Sequence, residues 1–205
     1  RGKSSNVGEE LQNMLQALKH RGPDSTGYAL YANNDGQNFI LRFKVGENVG
    51  EGSSSVNEDE SVYNERKKTV DKKLSELGAI VVKDEKLTPY SYRYEMKFDK
   101  DLMDFSKAIE SIESVEILSI GKSLELIKDL GDANAVSERY GLDKVQGTHG
   151  IGHARMATES GVDIKSAHPF WGYPFADVSV VHNGQLTNYW NNRRLLENKG
   201  MRFMS

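Results

Sequence analysis

The 205-residue chain contains no cysteine and only four prolines. Without cysteine, disulfide bonds and zinc sites built on thiolates are excluded for these residues. No apolar run approaches the ~18 residues that a membrane-spanning helix needs, and no charged and then apolar segment typical of a signal peptide opens the chain. These absences predict a soluble, cytoplasmic protein with no membrane partner.

The chain also lacks a strong excess of charge of either sign. Its 27 Lys and Arg residues face 30 Asp and Glu residues, for a formal net charge of −3. Because nucleic-acid-binding domains are usually distinctly basic, we expect no nucleic-acid partner. At roughly 150 residues per domain, the length suits one domain, or one domain with a sizeable insertion.

The first 45 residues combine one helix pattern with two strand patterns. Apolar side chains recur at helical spacing between Glu9 and Lys19, which predicts an amphipathic helix. Apolar runs over residues 28–32 and 38–45 predict two strands. The intervening Asn33-Asn34-Asp35-Gly36 tolerates positive φ, so the two strands are predicted to form a hairpin.

The middle of the chain changes composition. Residues 46–64 are rich in Gly, Ser, Asn and Glu and predict a linker. Residues 65–145 mix helix and strand patterns and predict a small inserted α/β subdomain, peripheral to any reaction. Within it, one helix is predicted to end at Gly78, and residues 124–130 are predicted to form another helix. The preceding Gly121-Lys122-Ser123 lacks the second glycine of a phosphate loop and has Glu116 in its place, so no phosphate site is predicted.

The final third returns to strand patterns over residues 149–157 and 177–182, followed by a helix from Thr187 to Lys199. His149 and His153 are four residues apart and are the candidate metal ligands. A metal site needs a third ligand, and nothing nearby supplies one at a recognisable spacing. We therefore predict structural histidines and no metal.

Four segments carry side chains suited to chemistry: residues 18–27 (LKHRGPDSTG), 150–158 (GIGHARMAT), 167–170 (AHPF) and 181–184 (VHNG). Arg155 offers a planar pair of donors that suits one carboxylate. Asn183 offers a side-chain amide and Gly184 an unobstructed backbone N–H, which together suit a developing oxyanion. Read singly, Arg155 could be a surface cation and Asn183-Gly184 a turn. Read together, they indicate amide or acyl chemistry on an amino acid.

These segments, in this order, resemble the class II glutamine amidotransferases, the N-terminal-nucleophile glutaminase domains of glutamate synthase, amidophosphoribosyltransferase, glucosamine-phosphate synthase and asparagine synthetase. The resemblance covers residues 8–45 and 146–205 and is closest to the glutamate-synthase type. It implies an α+β fold, a four-layer αββα sandwich of two antiparallel sheets. Residues 1–45 and 146–205 would form the core, incomplete at both ends, and residues 65–145 its insertion.

The resemblance also implies roles for individual residues. Arg155 would bind the α-carboxylate of glutamine, and Thr158 would line the same pocket. Asn183 and Gly184 would form the oxyanion hole. His168 falls where the family has a pocket histidine.

In the family, the nucleophile is an N-terminal cysteine whose own α-amine acts as the base. No residue of this chain can replace it, so we expect a Cys-Gly start upstream of the helix at Glu9 in the encoded protein. Arg21 and Asp24 resemble the loop that supports the nucleophile strand. The family carboxylate that binds the substrate amine would fall just past Ser205.

The implied activity is hydrolysis of the glutamine side-chain amide, without a cofactor, with ammonia passing to a synthase domain or subunit of glutamate-synthase type. One alternative is the glutaminase domain of an amidophosphoribosyltransferase- or asparagine-synthetase-type enzyme. A second is a non-catalytic scaffold or sensing module, which the missing cysteine permits. A third is a regulatory domain that binds a small molecule within residues 65–145.

Overall fold

The computed structural model describes residues 3–21, 24–47, 58–155, 164, 167–184, 186–201 and 203. The helices within these residues are α1 (Val7–Ala17), α2 (Glu60–Leu77), α3 (Leu102–Glu110), α4 (Ala133–Tyr140) and α5 (Tyr189–Glu197). The strands are β1 (Ser25–Ala32), β2 (Phe39–Lys44), β3 (Ile80–Thr88), β4 (Ser91–Lys97), β5 (Glu116–Gly121), β6 (Leu124–Leu130), β7 (Gly147–Arg155), β8 (Phe170–Trp171) and β9 (Ser179–Val180). None of the described helices combines the length and the apolar character needed to cross a membrane.

The ends of the helices follow capping residues in the sequence. The side chain of Asp59 accepts a hydrogen bond from the backbone of Ser61 and begins α2. That helix ends at Gly78, whose φ of 86° is the left-handed conformation that glycine adopts without strain. Asp132 and Gly141 cap α4 in the same two ways. The predicted stop of the second helix at Gly78 is confirmed.

The strands form two larger sheets and one short ribbon. A three-stranded sheet has the order β6-β1-β7, and a four-stranded sheet has the order β3-β4-β2-β5. Strands β8 and β9 pair with each other. Every one of these pairings is antiparallel, so the predicted α+β class with antiparallel sheets is confirmed.

The predicted hairpin between the first two strands is wrong. Strand β1 pairs with β6 and β7, whereas β2 pairs with β4 and β5, so residues 33–38 carry the chain from one sheet to the other. Both strands have partners on both edges and are almost fully buried. Turn residues indicate where the chain can bend, but tertiary pairing decides which strands become neighbours.

The helix predicted over residues 124–130 is also wrong, because this segment is β6. Its apolar side chains point into two different clusters. Leu126 packs with Ala29 and Leu118, while Ile127 packs with residues of α1 and α4. A strand that is buried on both faces loses the simple alternation by which a strand is normally recognised.

The range predicted as an inserted subdomain does not form a sheet of its own. Strands β4 and β5 flank β2 in the four-stranded sheet, and β6 pairs with β1 from Ser25–Leu130 to Tyr31–Leu124. Removing residues 65–145 would therefore take strands from both sheets. Helix α2 begins at Glu60, within the range predicted as linker, and residues 48–57 of that range lie outside the described residues.

Three apolar clusters pack against the sheets. The largest lies between the four-stranded sheet and helices α2 and α3, and includes Phe43, Tyr94, Val70, Leu74, Phe105 and Ile109. A second lies between the three-stranded sheet and helices α1 and α4, and includes Val7, Leu15, Tyr28, Leu30 and Val136. The third joins strands of the two sheets and consists of Ala29, Leu118, Leu124 and Leu126.

A buried ionic layer also joins the two sheets. Glu125 of β6 contacts Arg42 of β2 and, at 2.9 Å, Arg93 of β4. Burial alone would raise the pKa of Glu125, but the two guanidinium groups hold it at about 2. The carboxylate is therefore ionised in the interior, as expected for a buried charge that has opposite charges beside it.

Candidate active site

Arg155 lies at the last position of β7, opposite Ser25 of β1. The backbone N–H of Asp24 donates a hydrogen bond to the carbonyl of Arg155 at 3.3 Å, so two of the predicted site residues meet at this end of the sheet. Both side chains are half-buried. Arg21 is the last residue of a short 3-10 helix (Lys19–Arg21) before β1. Its side chain lies outside the described structure, as does the whole of Thr158.

His168 reaches the same end of the three-stranded sheet through a close backbone approach. A Cβ atom at Gly27 would lie 2.0 Å from the carbonyl oxygen of His168. Only glycine therefore allows the segment around His168 to lie against β1 at this point. This contact explains why β1 has a buried glycine near the end at which the predicted site residues lie.

The imidazole of His168 faces aromatic and cationic groups. Its ring centroid lies 5.0 Å from that of His153 and 4.5 Å from that of Phe170. Burial, together with the charges of His153, His182, Lys128 and Arg155, lowers the pKa of His168 to about 4. His168 is therefore neutral near pH 7 and can donate or accept a hydrogen bond.

His153 connects this histidine to Arg155. It precedes Arg155 by two residues on β7, so both side chains lie on the same face of the strand. Burial and the charge of Arg155 lower the pKa of His153. Its Nδ1 atom is buried and has no hydrogen-bond partner among the described residues. The side chains at the end of β7 thus combine one cation with two neutral imidazoles.

Asn183 and Gly184 are exposed and follow β9. Gly184 has a φ of 153°, and a Cβ atom there would lie 3.2 Å from Nε2 of His182. Gly184 and His182 line an open cavity of ≈ 710 Å³, whose other lining residues include Tyr189 and Trp190 of α5. The charge of His182 is one of those that lower the pKa of His168.

One residue that the sequence reading missed is Asp177. Its carboxylate accepts hydrogen bonds from the Gly121-Lys122-Ser123 turn, including one from the backbone of Ser123 at 2.8 Å. The turn that resembled a phosphate loop therefore binds a carboxylate of the same chain. The incomplete phosphate-loop motif did indicate a turn that binds an anion. Only the fold shows that this anion is the carboxylate of Asp177.

A buried ion pair below the pocket was missed as well. Lys128 Nζ lies 3.0 Å from Glu116 and 5.3 Å from the ring centroid of Phe170, so it packs under the ring that touches His168. Both charged residues are almost fully buried. Among the described residues, no group of three or more His, Asp or Glu side chains is arranged to hold a metal ion.

Among the known proteins that the chain resembles, two match it along almost its whole length. The chain is 37% identical over 203 residues to the "Putative glutamine amidotransferase" of Methanothermobacter thermautotrophicus, covering 97% of this chain and 63% of that protein. It is 32% identical over 201 residues to the "Glutamine amidotransferase-like protein GlxB" of Rhizobium meliloti, covering 96% and 59%. The chain is a relative of the glutamine amidotransferases. No family model matches it.

A shorter match extends the relationship to a class II enzyme. Over 83 residues, the chain is 37% identical to the chloroplastic amidophosphoribosyltransferase 1 of Arabidopsis thaliana, covering 40% of this chain and 15% of that enzyme. Together, these similarities support the assignment of the chain to the class II glutamine amidotransferases. The chain spans about three-fifths of the length of the two amidotransferase relatives that it matches throughout. Since those matches cover nearly all of this chain, they include most of residues 65–145.

Proposed function

We propose that this chain is the glutamine-binding part of a class II glutamine amidotransferase, which hydrolyses the side-chain amide of glutamine to glutamate and ammonia. The observation that carries the proposal is the similarity to a glutamine amidotransferase along 97% of the chain. The half-buried cation at the end of β7, next to neutral histidines, supports it, because a pocket for an amino acid needs an anchor for one carboxylate.

The packing supports the fold that this function implies. The first cluster lies between helices and the four-stranded sheet, the third between strands of the two sheets, and the second between the three-stranded sheet and helices. We infer from this order a four-layer αββα sandwich, of the type used by N-terminal-nucleophile hydrolases. In that arrangement the Arg155 pocket lies at one end of the three-stranded sheet.

Each predicted residue then has a specific task. Arg155 binds the α-carboxylate of glutamine through two parallel hydrogen bonds. Thr158 completes the same pocket, and neutral His168 lines it. The side-chain amide of Asn183 and the backbone N–H of Gly184 donate to the oxygen that becomes negative in the tetrahedral intermediate.

The nucleophile is the N-terminal cysteine expected upstream of this chain. Its thiol attacks the amide carbon and gives its proton to the free α-amine, which then protonates the leaving ammonia. Water hydrolyses the resulting thioester and releases glutamate. In this scheme Asp24 and Arg21 support the strand that bears the cysteine.

An isolated bridge supports this location for the nucleophile. Ser5 and Gly147 exchange two backbone hydrogen bonds of 3.0 Å in antiparallel pairing. Strand β7 runs from Gly147 to Arg155, so residues before Ser5 that continued this pairing would run along β7 toward Arg155. An upstream cysteine strand placed there would approach the proposed glutamine pocket.

The test uses the full-length protein with its natural N-terminus and a diazoketone analogue of glutamine, which alkylates an activated cysteine. We expect one covalent adduct on an N-terminal cysteine, mapped by peptide mass spectrometry, and release of ammonia from glutamine. An adduct on any other residue would contradict the assignment. Hydrolysis by the fragment 1–205 alone would contradict it too, because that fragment has no thiol.

The acceptor of the ammonia is a separate proposal. We propose a synthase domain or partner of glutamate-synthase type, with an amidophosphoribosyltransferase-type acceptor as the alternative that the Arabidopsis similarity favours. Glutamine labelled with ¹⁵N in its side-chain amide distinguishes the two acceptors. In an assay with 2-oxoglutarate and a reductant, label recovered in newly formed glutamate supports the glutamate-synthase type. Label recovered in a phosphoribosylamine supports the alternative. Binding of glutamine without release of label would indicate the sensing module instead.

A further inference from the structure

The carboxylate of Asp177 is enclosed by the turn between β5 and β6. Its Oδ1 atom accepts hydrogen bonds from the backbone N–H of Ser123 at 2.8 Å and of Leu124 at 2.7 Å, and from the Ser123 hydroxyl at 3.0 Å. Its Oδ2 atom accepts one from the backbone N–H of Lys122 at 3.0 Å. Successive N–H groups that converge in this way form an anion-binding nest.

The contact between the turn and Asp177 restricts which residues are possible in the turn and at position 177. A Cβ atom at Gly121 would lie 2.4 Å from Oδ1 of Asp177, so the turn can close around the carboxylate only with glycine at this position. Asp177 itself has a φ of 58°, a conformation in which Asp, Asn and Gly are the favoured residues. The backbone N–H of Asp177 also donates to the carbonyl of Ile120 at 3.3 Å.

Asp177 stands two residues before β9, the ribbon strand that leads to the proposed oxyanion hole. Strand β9 pairs with β8 through only two residue pairs, Phe170 with Val180 and Trp171 with Ser179. So short a ribbon has little stability of its own and depends on its anchors. The Ser179 hydroxyl contacts the Tyr31 hydroxyl at 2.9 Å, and Asp177 adds four hydrogen bonds to the β5–β6 turn.

We infer that Asp177 is a positioning residue for the Asn183-Gly184 pair. By holding the start of β9 on the β5–β6 turn, it sets where the two oxyanion donors lie. The catalytic meaning of this inference rests on the proposed function. Asp177 acts through the backbone and contacts no reacting atom, but donors aimed at a developing oxyanion tolerate little displacement, and an error of 1 Å can lower a rate by about 10²-fold.

Two substitutions in the full-length protein separate the contribution of the side chain from that of the backbone. Asp177→Gly keeps the positive φ accessible and removes all four carboxylate hydrogen bonds. Asp177→Asn leaves one acceptor oxygen and so retains part of the contact. Asp59→Ala is the matched control, because it removes another carboxylate that accepts a backbone N–H, at the start of α2.

We expect Asp177→Gly to lower kcat for glutamine by about 10²-fold while KM stays within about twofold, since oxyanion donors act mainly in the transition state. Asp177→Asn should lie between wild type and Asp177→Gly, and Asp59→Ala should match wild type. Unchanged kcat in folded Asp177→Gly would overturn the inference, as would a loss expressed only in KM. If Asp177→Gly does not fold, an unchanged kcat in Asp177→Asn overturns it.

Hydrogen exchange tests the positioning without relying on catalysis. Peptides that cover residues 179–184 should exchange faster in Asp177→Gly than in wild type or Asp59→Ala. If wild type does not hydrolyse glutamine, the proposed function fails and this measurement alone decides the structural part. Unchanged exchange over residues 179–184 would then overturn the positioning of Asn183 and Gly184 by Asp177.

Discussion

Glu125 is buried and His168 is half-buried, and the two have opposite charge states. Glu125, between the two sheets, stays ionised because Arg42 and Arg93 lie against it. His168, at the end of the three-stranded sheet, is neutral because burial disfavours its charged form and the charges that reach it share the sign of that form. Burial destabilises the charged form of a group, and the sign of the neighbouring charges decides whether that form is still the stable one.

The difference teaches how each region contributes to the molecule. The layer between the sheets uses matched charges that hold β2, β4 and β6 in place. The end of β7 places the cation of Arg155 near the imidazoles of His153 and His168, and we propose this cation as the anchor for the carboxylate of a ligand. Substitutions in the first region should therefore change stability, and substitutions in the second should change the reaction.

The largest effect is expected from Glu125→Ala, which leaves Arg42 buried without its carboxylate partner and Arg93 with Glu85 alone. We expect a loss of about 3–5 kcal/mol in the free energy of unfolding, measured with denaturant. Because the pKa of Glu125 is held at about 2, below its ordinary 4.5, this stabilisation is complete above pH 4.5 and is lost as the pH falls toward 2.

Glu76→Ala is the matched control, because it breaks an exposed ion pair with Lys73. Such pairs contribute little, so the control should unfold almost as wild type does. Equal effects of the two substitutions would show that the layer between the sheets is no more important for stability than the surface.

Asn183→Ala should act on the reaction alone. We expect kcat for glutamine hydrolysis by the full-length protein to fall by about 10²- to 10³-fold, with unchanged unfolding, because the side-chain amide acts mainly in the transition state. Asn134→Ala, at an exposed asparagine of α4, is the control. Collapse of glutamine affinity with an intact rate at saturation would make Asn183 a binding or turn residue.

Arg155→Lys should have a smaller effect, and chiefly on binding. Lysine keeps the charge but cannot donate two parallel hydrogen bonds to one carboxylate, so we expect KM for glutamine to rise by about 10-fold or more. Steady-state kinetics of the full-length protein, with Arg66→Lys on α2 as the control, measure the change. An unchanged KM would remove Arg155 from the pocket.

The smallest effect is expected from the pH dependence of His168. Its pKa of about 4 lies below the ordinary 6.5, so the unfolded chain binds a proton between these values and the native protein does not. Stability should therefore fall as the pH decreases from 6.5 to 4. The slope should be shallower in His168→Gln, measured by denaturant unfolding at each pH, and identical slopes would contradict the low pKa.

Sequence patterns predicted what depends on local interactions. The helix stop at Gly78 could be predicted because glycine at a helix end acts within one turn. The candidate site could be predicted in part because Arg155 and Asn183-Gly184 lie in short motifs. The pairing of β1 with β6 could not, because the two strands are about 100 residues apart and their partners are chosen by packing.

The same limit explains the missed positioning residue. Gly121-Lys122-Ser123 shows in sequence only that backbone N–H groups are gathered in a turn. Its anion, Asp177, is more than 50 residues away and is brought there by the β8–β9 ribbon. A motif can indicate the chemistry that a turn needs, but the fold decides whether a ligand or a side chain supplies it.

The central position of β1 has a consequence for the protein during its synthesis. Tyr28 lies between Ile127 on one side and Gly152 on the other, so neither edge of β1 has its partner until the ribosome has added about another hundred residues. At typical rates of about 5–20 residues per second, that delay lasts roughly 5–20 s. Strand β1, which is buried in the folded protein, thus spends seconds with two unpaired edges. We therefore expect the chain to be most prone to aggregation, and most dependent on chaperones, during its synthesis.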